Sequence, residues 1–236
     1  MRRVVVKCVH SKLQIRVEPL SNPCKREMSC FLNKSSVSST LFDIRKRHFP
    51  QAHCYTDDTQ LYCSFQPNEN SNQIAARNAM EICIAELREW MRKNKLMIND
   101  GKTEIILIGT RQQLAKVSFE NIVVGESTVT AAECIRNLGS WFDSRMSMET
   151  HVNQCCKAAF YHLHNLNKIR KYLNQETTEK LIHAFVTSRL DYCNGLLYGL
   201  PKYLLHKLQR VQNAAARLVL REPKFCRITP LLFNLH

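Results

Sequence analysis

Two adjacent carboxylates, Asp57 and Asp58, are the residues of this chain whose type and spacing best suit chemistry. They lie between residues 52–55 and 59–65, two segments that hold the aromatic, Cys and Thr residues typical of strands. Because Asp tolerates turn geometry, the pattern predicts a β-hairpin whose tight turn carries the acidic pair. Two neighbouring negative charges repel each other, and a hard divalent cation such as Mg²⁺ relieves that repulsion through oxygen ligands. The pair is therefore either a divalent-cation site or a solvated turn.

The residues around the pair favour the first interpretation. The string Tyr55-Thr56-Asp57-Asp58-Thr59-Gln60-Leu61-Tyr62 closely resembles the catalytic hairpin of reverse transcriptases from non-LTR (long interspersed) retrotransposons. The family usually has Ala where this chain has Thr56. The resemblance implies a site in which two Mg²⁺ (or Mn²⁺) ions clamp the attacking and leaving oxygens. In that scheme Asp57 is the first metal ligand, Asp58 is the second or weaker one, and Tyr55 packs beside the primer terminus.

The segment after the hairpin is predicted to be an amphipathic helix over residues 73–94, since its apolar residues recur close to every 3.6 positions. A turn at Asn99-Asp100-Gly101 and an apolar strand follow it. Residues 90–104 resemble the same family, and the resemblance implies that Lys102 helps to neutralise or protonate the leaving pyrophosphate. The alternative for a lysine at a turn is simple solvation, and general-acid catalysis requires a defined geometry.

Residues 117–143 are predicted to form small antiparallel strands, with a tight turn at Gly125-Glu126. Within them, residues 136–143 look like the family's primer-grip hairpin. The resemblance implies that Leu138, Gly139 and Trp141 hold the 3′ end of the growing strand. Aromatic residues serve both core packing and base stacking, so the two interpretations of Trp141 stay open.

The C-terminal part of the chain is predicted to be an all-α, thumb-like bundle of three helices. The periodicity of apolar residues predicts the buried side of the first two helices: Val152, Cys156, Ala159, Leu163 and Leu166 in the first, and Leu181, Ile182, Phe185 and Val186 in the second. Residues 185–194 and 208–217 within it are similar to the same polymerases. Residues 151–236 hold 13 Lys and Arg against four Asp and Glu, a net charge of +9. Four of these cations follow the edge of the apolar stripe of the third helix, which makes them candidates for contacts with nucleic-acid phosphates, although a solvated edge is the other interpretation: Lys207, Arg210, Arg217 and Arg221.

The predicted fold class is therefore α+β, in three parts. Residues 1–40 resemble nothing in the family and are expected to form a poorly ordered leader, with short strands at Val4-Val5-Val6 and at residues 13–17 as the alternative. Residues 41–145 are expected to form a partial polymerase palm, made of antiparallel strands with a packed helix and containing the hairpin. Residues 146–236 form the thumb-like domain.

One element of a polymerase palm has no counterpart in the sequence. In the family, a carboxylate on a separate strand far upstream of the hairpin completes the metal site. The nearest upstream candidate, Asp43, lies only 14 residues before Asp57, too close for an intervening strand and helix. We therefore expect a truncated reverse transcriptase without polymerase activity of its own. Two alternatives are a basic nucleic-acid-binding module that uses the thumb alone and a decayed fragment without function.

Bulk composition limits the partners and the compartment. The net charge of +14 favours an anionic partner, and the resemblance implies an RNA template, a DNA primer and deoxynucleotides. No apolar run is long enough for a membrane span or a signal peptide, so we expect a protein that is not secreted. The resemblance implies an intracellular protein of the nucleus or cytoplasm. The 11 cysteines are then reduced thiols. A zinc site that uses Cys24 and Cys30, or His151 and Cys155, is the less favoured alternative.

Overall fold

A computed structural model describes residues 3–10, 14–15, 52–55, 58–94, 96–97 and 100–235. The protein is a mixed α+β protein, as predicted. Its described residues form two compact units. The first unit contains the chain up to Asn137 together with Asp143–Met146, and the second contains Leu138–Phe142 and the chain from Ser147 onward. None of the helices in the described part of the chain is long and apolar enough to cross a membrane.

The first unit is built on a four-stranded antiparallel sheet. Its strands are β1 (Val4–His10), β3 (Ala52–Tyr55), β4 (Asp58–Phe65) and β6 (Thr103–Ile108), and their order in the sheet is β3-β4-β1-β6. Strands β4 and β6 both run antiparallel to β1, so they are parallel to each other, and a helix connects them. This is the split β-α-β arrangement.

The predicted hairpin is confirmed. Strands β3 and β4 pair in antiparallel register, with Tyr55 opposite Asp58 and Ala52 opposite Leu61. The connection is therefore only two residues long, Thr56 and Asp57, and both lie outside the described residues. Tight two-residue connections are the commonest in hairpins.

Helix α1 (Asn70–Lys93) covers one face of this sheet and begins three residues before its predicted start. Its buried positions follow the predicted 3.6-residue stripe, because that spacing keeps one face of the helix on the sheet. On the sheet, alternate residues of β1 and β4 complete the core. The fully buried core residues are Val4, Val6, Leu61, Met80, Ile84, Leu87 and Ile105.

Strand β1 corrects the expectation of a poorly ordered leader, at least for Val4–His10. The strand is one of the two inner strands of the sheet, and Val4 and Val6 have at most 1% of their surface exposed. The sequence analysis could recognise the apolar run but not its partners, since strand pairing joins residues that are distant in sequence.

The first unit is completed by short elements that support the sheet. Strands β7 and β8 form the predicted hairpin, with Val124 opposite Ser127 across Gly125-Glu126. Their bounds and those of the remaining elements are β2 (Gln14–Ile15), β5 (Leu96–Met97), α2 (Arg111–Leu114), β7 (Asn121–Val124), β8 (Ser127–Thr130), β9 (Cys134–Asn137) and β10 (Ser140–Asp143). Strand β10 crosses the division, because only Asp143 belongs to the first unit.

The second unit, called the helical unit below, packs its helices around one apolar core. An all-α bundle was predicted for this part of the chain. The buried stripe of the first long helix matches the predicted positions. The helices are α3 (Glu149–Ile169), α4 (Gln175–Ile182), α5 (Ser188–Asp191), α6 (Lys202–Leu220) and α7 (Ile228–Asn234). The core contains Val152, Ala159, Leu163, Ile182, Val186, Leu204 and Val211.

Helices α4 and α5 are joined without a break by a π-helical turn, His183–Thr187. The wider turn inserts an extra residue into the helix and shifts the faces that follow it. Ile182 and Val186 are buried as predicted, but Phe185, which was also predicted to face the core, is 43% exposed. Its ring stacks on the His162 ring instead, with 5.3 Å between centroids.

Candidate functional site

The strand register gathers the predicted catalytic residues at one edge of the sheet, which we call the hairpin edge. His10, the last residue of β1, pairs with Thr59 of β4 and with Thr103 of β6. Asp58 and Lys102 immediately precede those two partners, so their backbones lie at the same edge with β1 between them. Two strand spacings separate them, roughly 10 Å.

Tyr55 ends β3 opposite Asp58, the first residue of β4. Lys102 ends a 3₁₀ turn, Asp100–Lys102, and its side chain is exposed. Asp57 lies outside the described residues. The backbone of His10 lies between those of Asp58 and Lys102. No sequence pattern indicates this position, because only the pairing of β1 with β4 and β6 produces it.

The described ligand set at this edge is incomplete for a divalent-cation site. Strand β1 occupies the position beside the acidic hairpin, and its sequence, Val-Val-Val-Lys-Cys-Val-His, contains no carboxylate. No group of three His, Cys, Asp or Glu residues in the described part of the chain is close enough to hold a metal ion. Hard cations need several oxygen ligands, so the described residues do not by themselves fit Mg²⁺.

A buried polar chain lies in the sheet near the edge. Lys7 is 6% exposed, pairs with Tyr62 across β1 and β4, and has its Nζ 5.2 Å from the centre of the Tyr62 ring. The Tyr62 hydroxyl donates a hydrogen bond to Oε1 of Gln60, and Nε2 of Gln60 donates one to Oδ1 of Asn137 at 2.9 Å. Burial lowers the pKa of Lys7 to about 8. A neutral lysine is therefore accessible in mildly alkaline solution.

The predicted primer-grip residues lie in the helical unit. Leu138 and Gly139 both have positive φ, 45° and 87°, as in the type I′ connections of β-hairpins. The Tyr192 hydroxyl donates a hydrogen bond to the carbonyl oxygen of Leu138. The Trp141 side chain is half-buried, and its backbone amide donates to Nδ1 of His151 at 3.3 Å. The Tyr192 side chain thus contacts the backbone of the turn, and the His151 side chain contacts the backbone of the strand that follows it.

His151 is a buried structural residue in this arrangement. Because Nδ1 accepts the Trp141 amide, we assign the ring proton to Nε2, which lies 3.6 Å from Sγ of Cys155. Burial lowers the pKa of His151 and raises that of the Cys155 thiol. Neutral imidazole and neutral thiol are thus the stable forms, and the pair has no third ligand for zinc among the described residues. Cys24 and Cys30 lie outside them.

A cleft of about 750 Å³ in the helical unit collects most of the predicted phosphate-binding cations. Helices α3 and α6 form its walls and run in the same direction. Glu149 contacts Lys207 near the start of both helices, and Arg170 contacts Leu218 near the end of both. Five cations and one carboxylate line it. The lining includes Phe160, His164, Asn167, Arg170, Arg210, Asn213, Arg217, Arg221, Glu222 and Lys224.

Arg170 fixes the end of this cleft. It is 7% exposed, and its guanidinium donates to the carbonyl oxygens of Leu218 at 2.8 Å, Val219 at 2.6 Å and Leu173 at 2.7 Å. Leu218 and Val219 belong to the last turn of α6, where unpaired carbonyls and the helix dipole favour a cation. Burial, and then the charge of Arg221, lower the pKa of Arg170. Two of its three partners lie almost 50 positions away, so no local sequence pattern identifies Arg170.

Lys207 lies outside the cleft, near the start of the two helices. Its Nζ donates to Oδ1 of Asn153 at 2.8 Å and lies 3.6 Å from Oε1 of Glu149. The structure therefore brings three of the four predicted cations together, namely Arg210, Arg217 and Arg221. It separates the fourth from them, although all four follow one flank in the sequence.

No protein-family model, no curated protein and no solved structure matches this chain.

Proposed function

We propose that this chain is the C-terminal palm and thumb portion of a reverse transcriptase of the non-LTR retrotransposon kind. The observation that carries the proposal is the hairpin edge. Register alone brings Tyr55, Asp58 and Lys102 to one edge of a split β-α-β sheet, and these are the positions at which the sequence resembles the catalytic hairpin and the segment that follows it. A helical unit follows in the chain, in the order that the resemblance implies.

The activity implied for the parent enzyme is RNA-templated DNA synthesis from a DNA primer and deoxynucleotides. Mg²⁺ or Mn²⁺ would supply the electrostatic stabilisation of that reaction. We propose Asp57 and Asp58 as its carboxylate ligands in this chain and Lys102 as the cation near the leaving group. Leu138, Gly139 and Trp141 are proposed to contact the primer strand.

We further propose that residues 1–236 by themselves do not synthesise DNA. The strand beside the acidic hairpin is β1, and none of its seven residues is a carboxylate. Electrostatic catalysis depends on ligands that are already in position before the reaction, so an incomplete set holds the metal weakly and in a poor geometry.

The first experiment is a calorimetric titration of the purified chain with Mn²⁺, with and without a primer–template duplex, followed by a primer-extension assay. We expect weak Mn²⁺ binding, its loss in Asp57→Asn, and no templated extension. Glu126→Gln is the matched control, because it removes an exposed carboxylate from another β-turn. Mn²⁺ binding that Asp57→Asn leaves unchanged would contradict the assignment of the site. Templated extension that Asp57→Asn abolishes would contradict the proposed inactivity.

A second candidate, of another class, is a nucleic-acid-binding module that acts through the helical unit alone. The arginine-lined cleft favours it, since none of the ion pairs within the described part of the chain involves Arg210, Arg217 or Arg221. This candidate predicts that binding falls steeply with salt and persists in the Asp57→Asn, Asp58→Asn double variant.

A further inference from the structure

The cleft between α3 and α6 combines positive charge, depth and an aromatic surface. Its volume of about 750 Å³ falls within the range of about 300–1,000 Å³ that is usual for ligand pockets. Its cations extend along the wall from Arg210 to Arg221, which corresponds to roughly 16 Å of helix axis. A single phosphate cannot contact cations over that length, whereas a chain of phosphates can. The row therefore suits a linear polyanion.

The guanidinium groups of the cleft have donors left for a ligand. Arg210 is exposed and makes no hydrogen bond or ion pair to any other described residue. Arg217 uses Nη2 on the carbonyl oxygen of Cys226 at 3.1 Å and Nη1 on that of Asn213 at 3.4 Å. Each of these nitrogens carries a second N–H, so the guanidinium still has donors for a phosphate. Guanidinium donors match phosphate oxygens in geometry as well as in charge.

Phe160 distinguishes among polyanions. Its ring lines the same cleft and is 41% exposed. An aromatic face beside a row of cations is the combination that binds single strands, because an unpaired base can stack on the ring while the phosphates follow the charges. The bases of a duplex are already stacked on one another and cannot do so.

We propose that this cleft binds single-stranded nucleic acid, with Arg210 and Arg217 on the phosphates and Phe160 against a base. Arg170 acts as a positioning residue, and Arg221 adds charge at the end of the row. Arg170 holds the end of α6, and Arg221 donates to the carbonyl oxygens of Arg170 and Leu173 at 3.3 and 3.0 Å. The inference deepens the nucleic-acid-binding candidate above and does not depend on chemistry at the hairpin edge.

The test is fluorescence anisotropy of the full chain with a labelled 12-nucleotide oligothymidylate and with a 12-base-pair duplex, each measured at several salt concentrations. We expect the single strand to bind about fivefold or more tightly than the duplex, because only the single strand gains a stacked base. Arg210→Gln should weaken single-strand binding about tenfold and reduce the slope of log K against log salt by about 0.7. Lys207→Gln removes the same charge from the same helix outside the cleft, and it should change the affinity less than about twofold.

Two further arms identify the ligand. Phe160→Leu keeps an apolar side chain and should weaken oligothymidylate binding about fivefold, without affecting competition by inorganic polyphosphate. Equal losses in Arg210→Gln and Lys207→Gln would overturn the proposal, since they would indicate a diffuse charge effect. Duplex binding as tight as single-strand binding, or no effect of Phe160→Leu, would overturn it as well. Retained binding in Asp57→Asn would separate this result from failure of the polymerase assignment. Thermal melts of each variant establish that it is folded.

Discussion

The hydroxyl of Tyr192 donates a hydrogen bond to the carbonyl oxygen of Leu138, which joins two segments 54 residues apart. Each segment had been singled out separately, one as a primer-grip-like turn and the other as part of the helical region. The same ring lies over the next residue, because a Cβ placed on Gly139 would meet Cε1 of Tyr192 at 3.2 Å. The side chain of Tyr192, which follows the last residue of α5, thus contacts both residues of the turn.

This contact predicts that Gly139→Ala is destabilising. The substitution puts a side chain where φ is +87° and where the Tyr192 ring leaves little room, so we expect the free energy of unfolding to fall by about 1–3 kcal/mol. Gly195→Ala is the matched control, because an added Cβ there meets no atom within 4 Å. Its effect should stay within about 0.5 kcal/mol. Urea denaturation followed by circular dichroism measures both, and equal effects would argue against the contact.

Arg170 is predicted to be a main stabilising residue of the helical unit. Arg170→Gln removes the guanidinium that bonds three carbonyl oxygens, and it leaves those of Leu218 and Val219 at the end of α6 without this donor. We expect the free energy of unfolding to decrease by about 3 kcal/mol or more. Lys171→Gln makes the same charge change at the neighbouring exposed position, and we expect a change of less than about 0.5 kcal/mol. If the two variants unfold at the same urea concentration, the stabilising role of Arg170 is contradicted.

His151 is predicted to make stability depend on pH on the acid side. Burial lowers its pKa below the ordinary value of 6.5, so the unfolded chain takes up a proton that the folded chain does not. The stabilising contribution is complete above pH 6.5 and is lost as pH falls through the folded-state pKa. The difference in unfolding free energy between wild type and His151→Gln isolates this residue, and it should shrink as the solution is acidified. A difference independent of pH would show that His151 is not protected from protonation.

Lys7 is predicted to make stability depend on pH in alkaline solution. Its pKa is lowered from 10.5 to about 8, so between those values the unfolded state binds a proton that the folded state lacks. The contribution of Lys7 to the free energy of unfolding should therefore rise from pH 8 to 10.5. Burial raises the pKa of the Tyr62 hydroxyl and the Cys63 thiol, which act in the opposite direction. Measuring wild type minus Lys7→Met across this range isolates the lysine. A flat difference would contradict the burial of its charge.

Local patterns predicted several elements well. Helices α1, α3 and α6 follow from apolar residues spaced at 3.6 positions, because that spacing makes one continuous face that must be buried. The hairpins at Tyr55–Asp58 and at Gly125-Glu126 follow from turn residues between strand-forming segments. In each case the information lies within about 20 consecutive residues.

Other features depended on contacts between distant residues. Strand β1 looked like an isolated valine run, and only its pairing with β4 and β6 makes it an inner strand of the sheet. Phe185 left the predicted core face because a π-helical turn shifts the helix by one residue. Arg170 and Tyr192 carried no local signal, since the partners that they reach in other elements are 48 to 54 positions away.

The sequence by itself determined the α+β class, the acidic hairpin and the positive charge of the C-terminal helices. These properties depend on residue type and on short-range spacing, which the chain carries wherever it folds. Only the tertiary structure decided that the backbones of Lys102 and Asp58 lie at the same edge of the sheet. It also decided that three of the four cations share a cleft, while Lys207 forms an ion pair with Glu149. Strand register and the choice of ion-pair partner are set by packing between elements, and no window of neighbouring residues contains that information.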